Sequence, residues 1–227
     1  LAGTLFTLAL NTPAEAWEAR RDRFQRARER YRALAAENPA REPVVRNAGI
    51  TSRQLASLHY DRGFGAEAVT FAREALEVSE RVLATRREDT ALRLEVAADA
   101  YVLGMALDAA GEGSEAPAHY ERGRTILGAI HDADPTNARA TLLLGESSRH
   151  FAANRLAAGD VARARQLAGE ATSLFAVLAG QGPLQQRSQG LQVQEATHIV
   201  QRQQRRRAQF FPARRGAVQH QAAHLLA

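Results

Sequence analysis

The chain has no cysteine among its 227 residues, which excludes a disulfide framework and any thiolate metal site. It also has no lysine: all 30 basic residues are arginine, a bias that fits a GC-rich genome better than a chemical demand for guanidinium. Aromatic residues make up only 6%. A sheet protein would draw more on Val, Ile, Thr and aromatics, so close-packed helices are expected instead. No G-x-x-x-x-G-K-[ST] loop and no H-E-x-x-H pair occurs. Long apolar runs are missing too. The apolar opening Leu1–Leu10 has ten residues, against the roughly 20 needed to span a bilayer.

What is present is a chain that is 45% hydrophobic, with much alanine, and long enough for one sizeable domain or a short repeat array. Its net charge of +5 is unevenly spread. Residues 1–180 carry 23 Arg against 24 acids, a net −1, and residues 181–227 carry 7 Arg against the single acid Glu195, a net +6. The high isoelectric point therefore belongs to the tail. A near-neutral body argues against a nucleic-acid footprint, which needs a basic face.

An internal period of 48 residues organises the first 180. Gly63, Gly111 and Gly159 line up at that spacing. So do Ala56, Gly104 and Ala152; Ala68, Ala116 and Ala164; Ala75, Gly123 and Ala171; and Val78, Ile126 and Leu174. Two helices of about 20 residues with two short turns fill such a unit. Small residues at matched places let helix backbones approach, and a larger side chain there would overpack the hairpin.

In chain order, Thr12-Pro13-Ala14-Glu15 reads as a helix start, with Thr12 as cap and Glu15 closing a capping box. That helix should run to about Glu37, with Trp17, Phe24, Ala27, Tyr31 and Leu34 on one face. Its seven arginines between Arg20 and Arg32 are interleaved with acids and read as a solvated face. Further helices are expected over 41–62, 66–87, 90–110, 114–132, 138–158 and 160–179. Asn137 is the expected cap of the sixth, and Gly180-Gln181-Gly182-Pro183 ends the array. The stretch Leu1–Leu10 reads either as the end of a truncated repeat helix or as the end of a lost membrane span, with a signal-peptide remnant as a third reading. Opening on Leu1 is what a fragment or a processed product would show.

Catalytic chemistry finds no foothold. Gly111-Glu112-Gly113-Ser114-Glu115-Ala116 matches the relaxed dinucleotide pattern G-x-G-x-x-A, but a helix precedes it where that motif needs a strand. His59, His119, His131 and His150 fall in different helices, and His131-Asp132-x-Asp134 sits at a helix end where polar residues are expected anyway. The chain is expected to be non-enzymatic and to need no cofactor or metal.

The order Leu103-Gly104, x6, Gly111-Glu112, x3, Ala116, x3, Tyr120, x2, Gly123, closed by Asp134-Pro135, resembles the tetratricopeptide (TPR) signature over about residues 13–180. It departs from the 34-residue form in its longer helices, and the other copies have Leu55-Ala56 and Phe151-Ala152 in place of Leu-Gly. It is most similar to long-helix TPR arrays of multidomain bacterial signalling proteins, including regions that follow a Ser/Thr kinase domain. The resemblance implies an all-α fold of antiparallel hairpins, stacked as a right-handed TPR-like solenoid of about three and a half 48-residue repeats.

Its register places Arg53, Ser57, Tyr60 and Asp61, then Tyr101, Met105 and Asp108, then Glu146, Arg149 and Ala153 on a concave groove. Tyrosine, arginine and methionine suit contact with a peptide, and Arg53 and Arg149 would hold a carboxylate by bidentate bonds. The implied partner is a protein or peptide segment, and the implied location is the cytoplasm. Two alternatives stay open. One is a regulatory segment of a membrane-bound Ser/Thr kinase, with membrane attachment through a span preceding Leu1. The other is nucleic-acid binding through the Arg-rich helix and the tail.

That tail, residues 181–227, holds 12 glutamines against three in the preceding 180 residues, and follows no 48-residue register. It reads as a disordered end, as a basic nucleic-acid-binding segment, or as sequence translated out of frame, with Leu191–Gln209 as a marginal helix.

Overall fold

Helix formers fill the long segments of this chain, and Gly, Asn-Pro and Asp-Pro fall between them, so helices are short of neither propensity nor stop signals. The computed structural model describes residues 1–180. Within them are eight helices and no strand: α1 (Ala2–Leu10), α2 (Trp17–Glu37), α3 (Glu42–Arg62), α4 (Gly65–Leu83), α5 (Thr90–Ala110), α6 (Ala116–Ala133), α7 (Ala138–Ala157) and α8 (Val161–Gly180). The readings made for the tail lie outside the described residues.

The turns show why the 48-residue spacing exists. Gly63, Gly111 and Gly159 follow α3, α5 and α7 at φ 79°, 84° and 85°, the positive-φ residues among those described. A left-handed residue ends a helix by turning its last carbonyls back onto backbone N–H groups, and glycine does this without a Cβ clash. Side chains set the starts of α5 and α7. Asn137 caps α7 by accepting from the Ala140 N–H at 3.0 Å, as the sequence predicts. Asp89 does the same for α5, accepting from the Leu92 N–H at 3.0 Å. Before it, α4 stops at Leu83 rather than near Arg87, and residues 84–89 form the turn into α5.

One predicted start is wrong. Thr12 does not cap α2; its hydroxyl donates to the Leu8 carbonyl at 2.6 Å and accepts from the Arg23 guanidinium. It finishes α1, and α2 begins later, at Trp17, without a side-chain cap. On α2, Phe24, Ala27 and Tyr31 are buried as predicted, but Leu34 is 40% exposed. Many of the arginines of α2 are engaged locally. Arg28 donates to Glu74 on α4 at 2.9 Å, Arg26 pairs with Asp22 at 3.8 Å, and Arg21 stacks over Trp17 at 4.8 Å.

Each helix packs on the next in sequence order, and α5 also touches α3 and α7. Short turns make the neighbours antiparallel, so α3, α5 and α7 lie side by side while α4 and α6 pack behind them. The central cluster joins Ala56, Leu103, Ala106, Leu107, Tyr120 and Phe151, with alanines at the closest approaches. Gly104 belongs to this set for a steric reason: a Cβ there would sit 2.9 Å from the Tyr120 ring. Tyr120 is fully buried and stacks on Phe151 at 5.4 Å. Ala2 packs with Tyr31, Val44 and Ala48, and Ala9 with Phe24, Leu55 and Leu58, so α1 takes the place of a first helix against α2. No described helix is long and apolar enough to cross a membrane.

Candidate functional site

The face shared by α3, α5 and α7 carries the residues singled out in the sequence. Positions three and four apart lie on one side of a helix, so Arg53, Ser57 and Tyr60 form a row on α3, Tyr101, Met105 and Asp108 on α5, and Glu146, Arg149 and Ala153 on α7. The structure brings some of these together and commits others elsewhere.

Tyr60, Tyr101 and Arg149 converge on His150. The Tyr101 ring lies 5.6 Å from the His150 ring, and the Tyr60 ring 6.5 Å. Tyr60 on α3 thus reaches α7 across α5, so the face is narrow here. Arg149 spans both neighbours, with Nη2 2.5 Å from Glu146 Oε2 and 2.7 Å from His150 Nε2. Burial, reinforced by the Arg149 charge, pushes the His150 pKa well below its ordinary value, so the ring is neutral and accepts from the guanidinium. Burial, with Glu146 adding to it, pushes the Tyr101 hydroxyl well above its ordinary range. Asp61 is exposed at the rim, as is Ala153, and Ser57 is half-buried.

Three expected groove residues serve the interior. Arg53 holds Asp99 at 2.9 Å, with side-chain exposures of 12% and 2%, so its guanidinium is taken by a neighbour on α5. Met105 is 9% exposed and packs in the central cluster with Val102 and Leu103. Asp108 accepts from the Tyr120 hydroxyl at 2.8 Å and from Asn154 Nδ2 at 2.6 Å, which clasps α5, α6 and α7 together. The register of shorter-helix repeats points these side chains outward. The contacts among α3, α5 and α7 cover the middle of α5.

Asp99 and His150 were missed. For Asp99 a signal was available: Arg53–Asp99, Arg28–Glu74, Arg124–Glu170 and Asp108–Asn154 are all bonded pairs 46 residues apart, two short of the period. Complementary partners thus recur near one repeat length in the sequence. For His150 there was none, because its neighbours come from three helices.

The G-x-G turn carries no cofactor geometry: Gly111 is the left-handed cap of α5, so a helix enters it and no strand does. Among the described residues no group of three or more His, Cys, Asp or Glu is placed to hold a metal ion. The half-buried Glu146 and the buried Asp99 are each tied to an arginine. What remains is a surface of two half-buried tyrosines and one guanidinium with an acid at its rim. Tyrosine and arginine are residue types enriched where proteins touch one another. No family model and no curated protein matches the chain.

Proposed function

We propose that this chain is a non-enzymatic interaction scaffold. In this reading it is a right-handed TPR-like solenoid of about three and a half 48-residue repeats, and it binds a peptide or protein segment on the face of its first helices. One observation carries the reading: side chains from three helices separated by whole repeat lengths, Tyr60, Tyr101 and Arg149, meet at His150. Tyrosine and arginine, half-buried and held by their neighbours, lose little entropy on contact and dominate interface energetics. With Arg149 already balanced by Glu146, the two tyrosines carry the contact, so the partner segment presents an apolar or aromatic side chain to them.

The test is selection from a displayed random peptide library against the full chain. Enriched peptides are expected to share an aromatic or apolar residue, and to lose at least about tenfold in affinity, about 1.4 kcal/mol, on Tyr60→Ala and on Ala153→Arg. Enrichment of peptides whose affinity ignores both substitutions would place recognition elsewhere and remove this face from the proposal.

A further inference from the structure

A second surface lies on the other side of the first full hairpin. A cleft of about 910 Å³ opens between the C-terminal half of α2, the start of α3 and the outer side of α4. Its floor is aliphatic: Ala35, Val45, Ala48, Val78 and Val82. The volume lies within the roughly 300–1,000 Å³ typical of ligand sites.

The repeat explains why the cleft exists. Forty-eight residues on, Ala35 becomes Leu83 and Ala48 becomes Val96; a further repeat on, Ala48 becomes Leu144. Leu83 and Val96 are packed into the core, and Leu144 is buried in a second cluster. The next hairpin fills that seam with Leu83 and Val96, whereas the first is left several carbons short. A hole of this kind costs stability unless something occupies it.

We propose that this cleft docks an amphipathic helix of a partner protein through leucine-sized aliphatic side chains. Shape points to a helix. The wall on α4 runs from Thr70 to Val82, about 18 Å at 1.5 Å per residue, an open furrow more than three turns long. Chemistry points to aliphatic side chains, because the lining includes no aromatic ring and no histidine on which a planar ligand would stack. Charge sets the register. Glu42 and Glu74 are tied to arginines, whereas Glu77 and Arg81, exposed on the cleft edge and one turn apart, have no ion-pair partner among the described residues. A partner helix bearing an Arg and a Glu one turn apart satisfies both.

The experiment uses the full chain and a fluorescein-labelled synthetic helix with leucines at every third and fourth position and one Arg–Glu pair a turn apart, read by anisotropy. Saturable binding is expected. Ala35→Leu and Ala48→Leu, which supply the side chains of the later repeats, should each weaken it at least tenfold while far-UV circular dichroism is unchanged. Glu77→Arg with Arg81→Glu, both on the surface and safe for folding, should weaken it as well, and exchanging the two charges of the peptide should restore it. Lack of saturable binding overturns the proposal, as does binding indifferent to both the filling and the charge-reversal variants. Binding of dodecanoate but not of the peptide, lost on Ala35→Leu, would assign an acyl chain to the cleft and also overturn it.

Discussion

Replacing Arg53 by alanine leaves the Asp99 carboxylate inside the protein without its guanidinium. Asp99 is 2% exposed and Arg53 12%, and they meet at 2.9 Å between α3 and α5. Removing one member of such a buried pair costs about 3–5 kcal/mol, because the other charge stays desolvated. Against a typical domain stability of about 5–15 kcal/mol, that loss threatens the fold. Equilibrium urea unfolding of the full chain at pH 7, followed by circular dichroism, measures it.

The pH dependence identifies the cause. Burial raises the Asp99 pKa above its ordinary value of 3.8 even with Arg53 and Ser79 opposing it. A raised folded pKa means that the native state binds the proton more readily than the unfolded chain, so this group favours folding at low pH and opposes it as pH rises through the folded pKa. Losing Arg53 raises that pKa further. The destabilisation of Arg53→Ala should therefore be greatest at neutral pH and shrink as Asp99 takes up its proton. Asp99→Asn should suppress the pH dependence, and the double substitution should cost less than the sum of the two singles. A loss under about 1 kcal/mol at pH 7, or one that grows on acidification, would refute the assignment of Arg53 to an interior ion pair.

Two further outcomes follow from packing and titration. Gly104→Ala pushes a Cβ to within 2.9 Å of the Tyr120 ring and should cost about 1–3 kcal/mol by overpacking. Gly111→Ala meets no atom within 4 Å but must hold φ 84°, so its cost of about 1–2 kcal/mol is conformational, and Gly111→Asn should recover part of it. Urea unfolding separates the two, since the cost of Gly104→Ala should shrink when measured in a background already made smaller at Tyr120, whereas the cost of Gly111→Ala should not. His59 and His150 are both lowered from the ordinary 6.5, each chiefly by burial. A depressed folded pKa gives stability that is present above 6.5 and lost as pH falls through the folded values, so the melting temperature should drop on acidification below that point. His59→Phe should flatten part of that drop, since the ring lies among Trp17, Phe64 and Phe71 with neither nitrogen hydrogen-bonded to a protein group. A melting temperature constant over that range would refute the assignment of both rings to buried, neutral sites.

Local chemistry was enough to read the helices, the turns and the period. Glycine at 63, 111 and 159 is demanded by a left-handed backbone that other residues rarely adopt, and Asn137 caps because its side chain reaches an N–H three residues on. These are interactions between neighbours in sequence, so the sequence states them directly. The matched alanines and Gly104 are nearly as legible, because close helix approach removes side chains at fixed intervals.

The direction taken by polar side chains was decided by the tertiary structure. Arg53 looks the same in sequence whether it faces a partner or Asp99, and Asp108 whether it rims a groove or clasps Tyr120 and Asn154. Which of these happens depends on how closely α3, α5 and α7 approach, a sum over many contacts between residues some 46 apart. The convergence at His150 and the cleft beneath Ala35 and Ala48 are of the same kind. Each is a meeting of three helices, and a one-dimensional pattern records spacing along a helix but not the distance between helices that packing sets.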